Sequence, residues 1–335
     1  MDKTKIYLVT GSSGFIGYYL SKYLLDRGCK VIGIDNMNNY YDVKLKEERL
    51  NILKKYNNYI FYKEDISNKD ELLNIFKDHK PSYVLHMAAQ AGVRYSIENP
   101  DTYIISNIIG TYNILEACRY YPVEHLLYAS SSSVYGANKK TLFEETDFVD
   151  NPVSLYAATK KSDELIAYTY SHLYNIPSSG LRFFTVYGPM GRPDMAYFKF
   201  VDMYFEGEEI HIYNNGDFEN DMYRDFTYID DIVKGIMRLI PKPPVSKPKH
   251  MIYNIGNNNP EKLMVFITTL EECLSNSLGK KVEFKKIYES IKLGDVQKTY
   301  ASTVRLKKVI GFKPDTLIKD GLQKFSDWYV GFYNM

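Results

Sequence analysis

The chain has 335 residues, 45% of them hydrophobic and 25% charged, a globular balance with length enough for two domains. A formal net charge of +1 gives no broad attraction for nucleic acid or an acidic membrane surface, so a general polyanion binder is excluded. Cys29, Cys118 and Cys273 are too few and too scattered for a disulfide framework. The six histidines show no HxH, HExxH or CxxC spacing, so no metal is expected. Without a signal core or a long apolar run, the cytoplasm is the expected compartment. The 32 tyrosines scatter through every segment, which points to biased composition and not to a binding face.

In chain order, residues 5–10 (KIYLVT), 30–35 (KVIGID), 59–63 (YIFYK), 83–87 (YVLHM), 125–130 (HLLYAS) and 178–183 (SSGLRF) read as buried strands. Amphipathic stretches such as FIGYYLSKYLLDRG and KDELLNIFKDH lie between them. A β-α-β-α rhythm predicts a parallel sheet with helices on both faces. After Phe183 turn residues crowd in and a smaller mixed region begins. PKPPVSKPK, residues 241–249, reads as a solvated loop before another strand, MIYNIG.

The first strand runs into Gly11-Ser-Ser-Gly14-Phe-Ile-Gly17. Gly11 permits a tight turn, Gly14 lets the backbone approach a pyrophosphate, and Gly17 lets the next helix pack on the strand. The helix start then offers free N–H groups to phosphates. Asp35, ending the second strand, would accept both ribose hydroxyls and repel a 2′-phosphate; Asn36 and Met37 after it bring no arginine for one. NAD is therefore favoured over NADP. The expected fold is α/β, a Rossmann-type doubly wound parallel sheet with a smaller mixed α/β C-terminal substrate domain. Residues 1–182 would form the NAD-binding domain, with 226–256 returning to it, and 183–225 and 257–335 would bind substrate.

A second signal is Tyr156-Ala-Ala-Thr-Lys160. On a helix these two side chains lie one turn apart. A free phenol is a poor base at neutral pH, and a neighbouring ammonium favours its phenolate form. A run of hydroxyls, Ser130 to Ser133, ends the fifth strand at the edge that faces ligand in a parallel sheet.

These motifs, TGSSGFIG, SSSSVYG and YAATK, resemble the extended short-chain dehydrogenase/reductase family. DNMNNYYDVKLKEERL (35–50), HMAAQAGVRYS (86–96), SLYAATKK, LRFFTVYGPMGRPDMA (181–196) and RDFTYIDDIVKG (224–235) resemble more narrowly its UDP-glucuronate 4-epimerases. The likeness is densest up to about Gly256 and looser beyond. It implies an isomerase with Tyr156, Lys160 and Ser131 as catalytic residues. Cofactor contacts would come from Gly11, Gly14, Phe15, Ile16, Gly17, Asp35, Asn36, Asp65, Ile66, Ala88, Ala89, Gln90 and Asn107, besides Tyr156 and Lys160. Asp65 would meet adenine, and Asn107 would brace the central helix. Substrate would meet Arg94, Ser131, Ser132, Ser133, Tyr156, Thr185, Arg192, Arg224 and Asp295. Asp295 belongs to a Gly-Asp-Val whose preceding Lys292-Leu293 departs from the usual Gln-Pro. A homodimer through the helices around Asn107 and Tyr156 is implied in the same way.

Within this family the residues after the strand-tip hydroxyl separate the reactions. The 4,6-dehydratases resemble one another in an Asp-Glu pair before VYG, and decarboxylating relatives carry a Glu nearby. Here Ser132 and Ser133 stand instead, so elimination lacks its acid and base and epimerisation is favoured. The alternatives are a UDP-glucose or N-acetylhexosamine 4-epimerase, a UDP-glucuronate decarboxylase, and a non-catalytic NAD sensor. The DNMNNYYDV and GRPDMA segments argue against the neutral-sugar enzyme. The intact Tyr/Lys pair argues against the sensor.

Overall fold

The apolar runs of the first half pair as parallel strands, alternating with helices that cover both faces. The computed structural model describes residues 1–140, 142–214, 216–217, 221–290 and 300–335. In chain order come β1 (Ile6–Thr10), α1 (Phe15–Leu25), β2 (Lys30–Ile34), α2 (Val43–Leu53), β3 (Tyr59–Tyr62), α3 (Lys69–His79) and β4 (Tyr83–His86). Short helices α4 (Tyr95–Glu98) and α5 (Pro100–Tyr103) lead through a π-helical stretch, Ile104–Ile109, into α6 (Gly110–Tyr120). Then follow β5 (His125–Ser131), α7 (Leu155–Tyr174) and β6 (Ser178–Phe183).

The remainder is made of shorter pieces: β7 (Thr185–Tyr187), α8 (Ala196–Glu206), β8 (Ile210–Ile212), β9 (Tyr223–Arg224), β10 (Phe226–Tyr228), α9 (Ile229–Leu239) and β11 (His250–Ile255). After them come β12 (Glu261–Lys262), α10 (Leu263–Leu278), β13 (Lys286–Tyr288), α11 (Val304–Ile310) and α12 (Ile318–Tyr333).

Among the described residues the main sheet has seven strands in the order β11-β6-β5-β4-β1-β2-β3. Every pairing in it is parallel. Tyr7, Leu8, Val9 and Thr10 of β1 are all buried, the continuous run that a central strand covered on both faces requires. The chain steps outward from β1 through β2 to β3, then crosses back to lay β4 on the other side of β1. That reversal opens a crevice at the carboxyl ends of β1 and β4, the usual ligand position in such sheets. Thr10 pairs with His86 across it, and Thr10 Oγ1 bonds His86 Nδ1 at 2.8 Å.

The later segments form three two-stranded pairs, β7 with β10 and β8 with β13 in parallel, β9 with β12 antiparallel. They carry the far wall of the crevice. Among the described residues no helix is long and apolar enough to cross a membrane.

Candidate active site

Strands β1, β2, β4 and β5 all discharge into one cleft of about 920 Å³, at the upper end of the range for small-molecule sites. Its floor is the glycine turn. Gly11 adopts φ +66°, where a side chain would be strained, and a Cβ there would lie 2.9 Å from the Ala88 backbone. A Cβ on Gly17 would sit 2.0 Å from the Gly11 carbonyl oxygen, so only glycine lets α1 approach the turn. Gly14 caps α1 without a side-chain bond, and no acid occupies the first turn, so the positive helix end faces the cleft uncovered.

Asp35 is held rigidly at the end of β2. Its Oδ2 accepts Ser13 N at 3.0 Å and its Oδ1 accepts Met37 N at 2.9 Å. Each oxygen keeps a lone pair for a ribose hydroxyl. Asn36 Nδ2 donates to Asp65 Oδ2 at 2.7 Å, and Ser67 N donates to Asp65 Oδ1 at 2.8 Å. Burial works to raise the Asp65 carboxyl, but these bonds outweigh it and leave it below the usual range. Ile66, Ala88, Ala89 and Gln90 complete this wall.

Asn107 departs from the expected cofactor contact. It is fully buried in the π-helical stretch and does not line the cleft. Its Oδ1 accepts Gln90 N at 2.8 Å, while its Nδ2 donates to Gln90 O at 3.1 Å and Thr159 Oγ1 at 3.0 Å. The wider π turn aims the amide inward, so Asn107 ties the cofactor wall to α7 and reaches the ligand only through Gln90.

Ser154 starts α7 by accepting Ala157 N at 3.1 Å, which places Tyr156 in the first turn and Lys160 one turn further. The Tyr103 ring meets Tyr156 edge-on at 6.0 Å. Lys160 is 2% exposed and donates to Ala129 O at 3.0 Å and Asp163 Oδ2 at 3.1 Å. An ammonium has three hydrogens, so one remains for a ligand. Burial pushes the Asp163 carboxyl up to about 6, against the pull of Lys160.

The serine run divides. Ser130 Oγ donates to Glu164 Oε1 at 2.7 Å, inside the protein. Ser131 Oγ accepts Ser133 N and donates to Ser133 Oγ, both at 3.2 Å, capping a 3₁₀ turn over Ser132–Tyr135. Ser131, Ser132 and Ser133 line the same cleft as Tyr156, as does Thr185 at the start of β7.

Arg94, Arg192 and Arg224 also line the cleft. Arg192 is gripped by Asp194, Nε to Oδ1 at 2.9 Å with Nη2 on Oδ2, and Tyr40 Oη donates to the same Oδ2 at 3.2 Å. Burial opposes ionisation of Asp194, but Arg192 outweighs it and holds that carboxyl below its usual range. Arg94 lies 5.2 Å from the Tyr213 ring centre. Arg224 Nη1 donates to Tyr223 O at 2.9 Å. Asp295 lies outside the described residues. Sequence reasoning missed Tyr40, Asp163 and Asp194; Arg192-Pro-Asp194 was a visible i, i+2 charge pair that could have flagged the last.

Residues 7–256 match the model of the NAD dependent epimerase/dehydratase family. The chain belongs to this family. It is 51% identical over 340 residues to Protein CapI of Staphylococcus aureus, covering 97% of this chain and 98% of that one. It is 42% identical over 338 residues to a probable UDP-glucuronate 4-epimerase of Rhizobium meliloti, covering 96% of each. Its fold superposes with TM-score 0.87 on a UDP-glucuronic acid 4-epimerase from Bacillus cereus in complex with UDP-glucuronic acid and NAD. That pair shares 30% identity and covers 98% of this chain and 100% of the other. NAD, the family's cofactor, fits the residues present: a glycine cradle that any Cβ would fill, an uncovered helix start, and a fixed Asp35 carboxylate.

Proposed function

We propose that this protein is an NAD-dependent 4-epimerase that interconverts UDP-glucuronate and UDP-galacturonate through a transient 4-keto sugar, serving capsule or other polysaccharide synthesis. The observation that carries the reading is the juxtaposition of Tyr156 and Lys160 with a strand tip whose following residues, Ser132 and Ser133, bear no carboxylate. Bound NAD supplies the hydride chemistry at C4 of the sugar. Tyr156 accepts the proton of the 4-hydroxyl and later returns it. Ser131 hydrogen-bonds the same oxygen. Lys160 would hold the cofactor ribose through its remaining N–H.

Oxidation at C4 makes a β-keto acid, which loses CO₂ when the carboxylate C–C bond overlaps the ketone. Ser131, Ser132, Ser133 and Thr185 can grip the carboxylate so that this bond stays near the ring plane. Arg94 and Arg224 suit anionic groups further out, since a guanidinium fork can bind phosphate or carboxylate bidentately.

On this reading residues 1–182 with 226–256 serve the cofactor, and 183–225 with 257–335 serve the UDP-sugar. The return of β11 to the main sheet supports that division. A homodimer through the α6 and α7 region is part of the proposal, supported by exposed Ile105, Ile109, Leu165 and Tyr168. The cytoplasm remains its proposed compartment.

The test is to incubate the protein with UDP-glucuronate, UDP-glucose and UDP-N-acetylglucosamine and identify the products, beside Tyr156→Phe. UDP-galacturonate should form from the uronate. Tyr156→Phe should keep NAD yet lose turnover by about 10²–10⁴-fold, the usual worth of a positioned acid–base group. Preference for UDP-glucose would sink the uronate assignment, and near-normal turnover in the variant would remove Tyr156 from the mechanism.

A further inference from the structure

Two cations on α2 stand out because nothing acidic answers them. Arg49 is fully buried. Its Nη1 donates to Ser13 O at 2.9 Å and Tyr41 Oη at 2.8 Å, and its Nη2 to Met190 O at 2.7 Å and Gly191 O at 2.9 Å. All four acceptors are neutral, and its Nε is buried without a partner. Lys46, one turn earlier, is 5% exposed and lines the cleft. Its Nζ donates to Asn38, at the carbonyl oxygen (2.8 Å) and the side-chain Oδ1 (2.6 Å), and lies 4.9 Å from the Tyr41 ring centre. Among the described residues no carboxylate forms an ion pair with either. Every other strongly buried cation of this region has one: Lys160 has Asp163, and Arg182 has Glu164.

Buried charges are normally paired, because leaving water without a counter-ion costs far more than the neutral bonds return. The acid that acts on Lys46, Asp35, makes no ion pair with it: its oxygens accept Ser13 N and Met37 N and keep their remaining lone pairs for the ribose. Burial pushes the Lys46 ammonium below its usual range in spite of that carboxylate. Arg49 meanwhile grips the carbonyl of Ser13, inside the glycine turn itself. Its charge therefore sits directly behind the segment that cradles phosphate.

We propose that Lys46 and Arg49 are the protein's counter-charges for the pyrophosphate of the dinucleotide, Lys46 by direct contact and Arg49 as a positioning residue acting through the glycine turn. Arg49 also clasps Met190 and Gly191, so the same guanidinium fixes the turn against the segment that carries Arg192. The shared chemistry is a nucleoside diphosphate, which could also arrive as the UDP of the substrate. The placement of Arg49 on Ser13 assigns it to the cofactor.

The experiment displaces bound NAD from the purified full chain with ADP and with adenosine, and separately titrates UDP. The ratio of displacing concentrations cancels any change in NAD affinity. Lys46→Gln should lower the preference for ADP over adenosine about tenfold or more, the worth of one charge-assisted bond, with UDP binding unchanged. Arg49→Lys should keep most of that preference, and Arg49→Met should lose it. Equal weakening of ADP and adenosine in Lys46→Gln, or an unchanged ratio, would overturn the proposal. A loss confined to UDP would overturn it in favour of the substrate diphosphate.

Discussion

Glu164 lies one turn beyond Lys160 on α7 and accepts three hydrogen bonds. Arg182 donates Nε at 2.8 Å and Nη2 at 2.9 Å, and Ser130 donates Oγ at 2.7 Å. The paired side chains are 3% and 4% exposed. In Glu164→Gln the charge disappears and an amide NH₂ is turned toward a donor. Arg182 then stays buried with one neutral amide oxygen and the Tyr135 ring, 4.9 Å away, in place of a carboxylate, and its Nη1 already lacks a partner. Breaking a buried pair on one side costs about 3–5 kcal/mol. For a chain of this length the unfolding entropy is about 0.7 kcal/mol/K, so the thermal midpoint should fall by roughly 4–7 °C. Calorimetry or circular dichroism reads that shift. The double variant Glu164→Leu/Arg182→Met should recover most of it, since an apolar pair of similar volume removes both desolvation costs. Ser130 and Arg182 are register partners across β5 and β6, so Glu164 joins the helix of Tyr156 to the strand of Ser131 through Ser130 and to β6 through Arg182. Turnover in Glu164→Gln should therefore fall severalfold at temperatures where it is fully folded. A midpoint shift below about 1 °C would show that the pair does not hold α7 in place, and the positional argument built on it would fail.

Asp35→Ala should weaken NAD binding by about tenfold or more through the lost ribose acceptors, read as NAD content after purification; efficient use of NADP by the unaltered protein would refute the role given to Asp35. His125 is fully buried between Ile240 O (2.9 Å) and Ser179 Oγ (2.8 Å), and burial lowers its pKa to about 4. A histidine depressed in the fold contributes stability above about 6.5 that is lost as pH falls toward 4, because the unfolded chain takes up the proton first. His125→Gln should accordingly lose about 2 kcal/mol less than the unaltered protein between pH 7 and pH 5, measured by urea unfolding at both values; parallel losses would mean that His125 titrates normally.

The parts of this molecule legible in its sequence are those whose cause is local. A parallel strand buried on both faces must be apolar throughout, so β1 to β6 announce themselves as runs. Gly11 is required by the positive φ of its own turn and Gly17 by the Gly11 carbonyl six residues before it, and Tyr156 and Lys160 share a face because a helix has 3.6 residues per turn. Asn107 was legible as a brace of the central helix, but not its position off the cleft, because a π turn rotates everything after it and no periodicity marks where a helix will widen. Arg49 was passed over for a different reason. Three of its four partners lie 36, 141 and 142 residues away and are backbone carbonyls, which every sequence offers everywhere.

The buried charges show why composition says little about such a site. Lys160 with Asp163, Arg182 with Glu164 and Arg192 with Asp194 are pairs, each close to neutral seen from a distance. Their work is geometric: they fix the reactive helix, the serine strand and the far rim. Among the described residues Lys46 and Arg49 form no ion pair, and Asp35 only partly offsets the charge of Lys46. On the proposed reading an anionic cofactor would meet positive potential at the glycine turn, while the reactive end of the cleft would stay balanced enough for a proton to move between Tyr156 and a sugar hydroxyl. A net charge of +1 over the whole chain carries no trace of this division. It resides in which buried charges have partners, and that is decided by tertiary contacts.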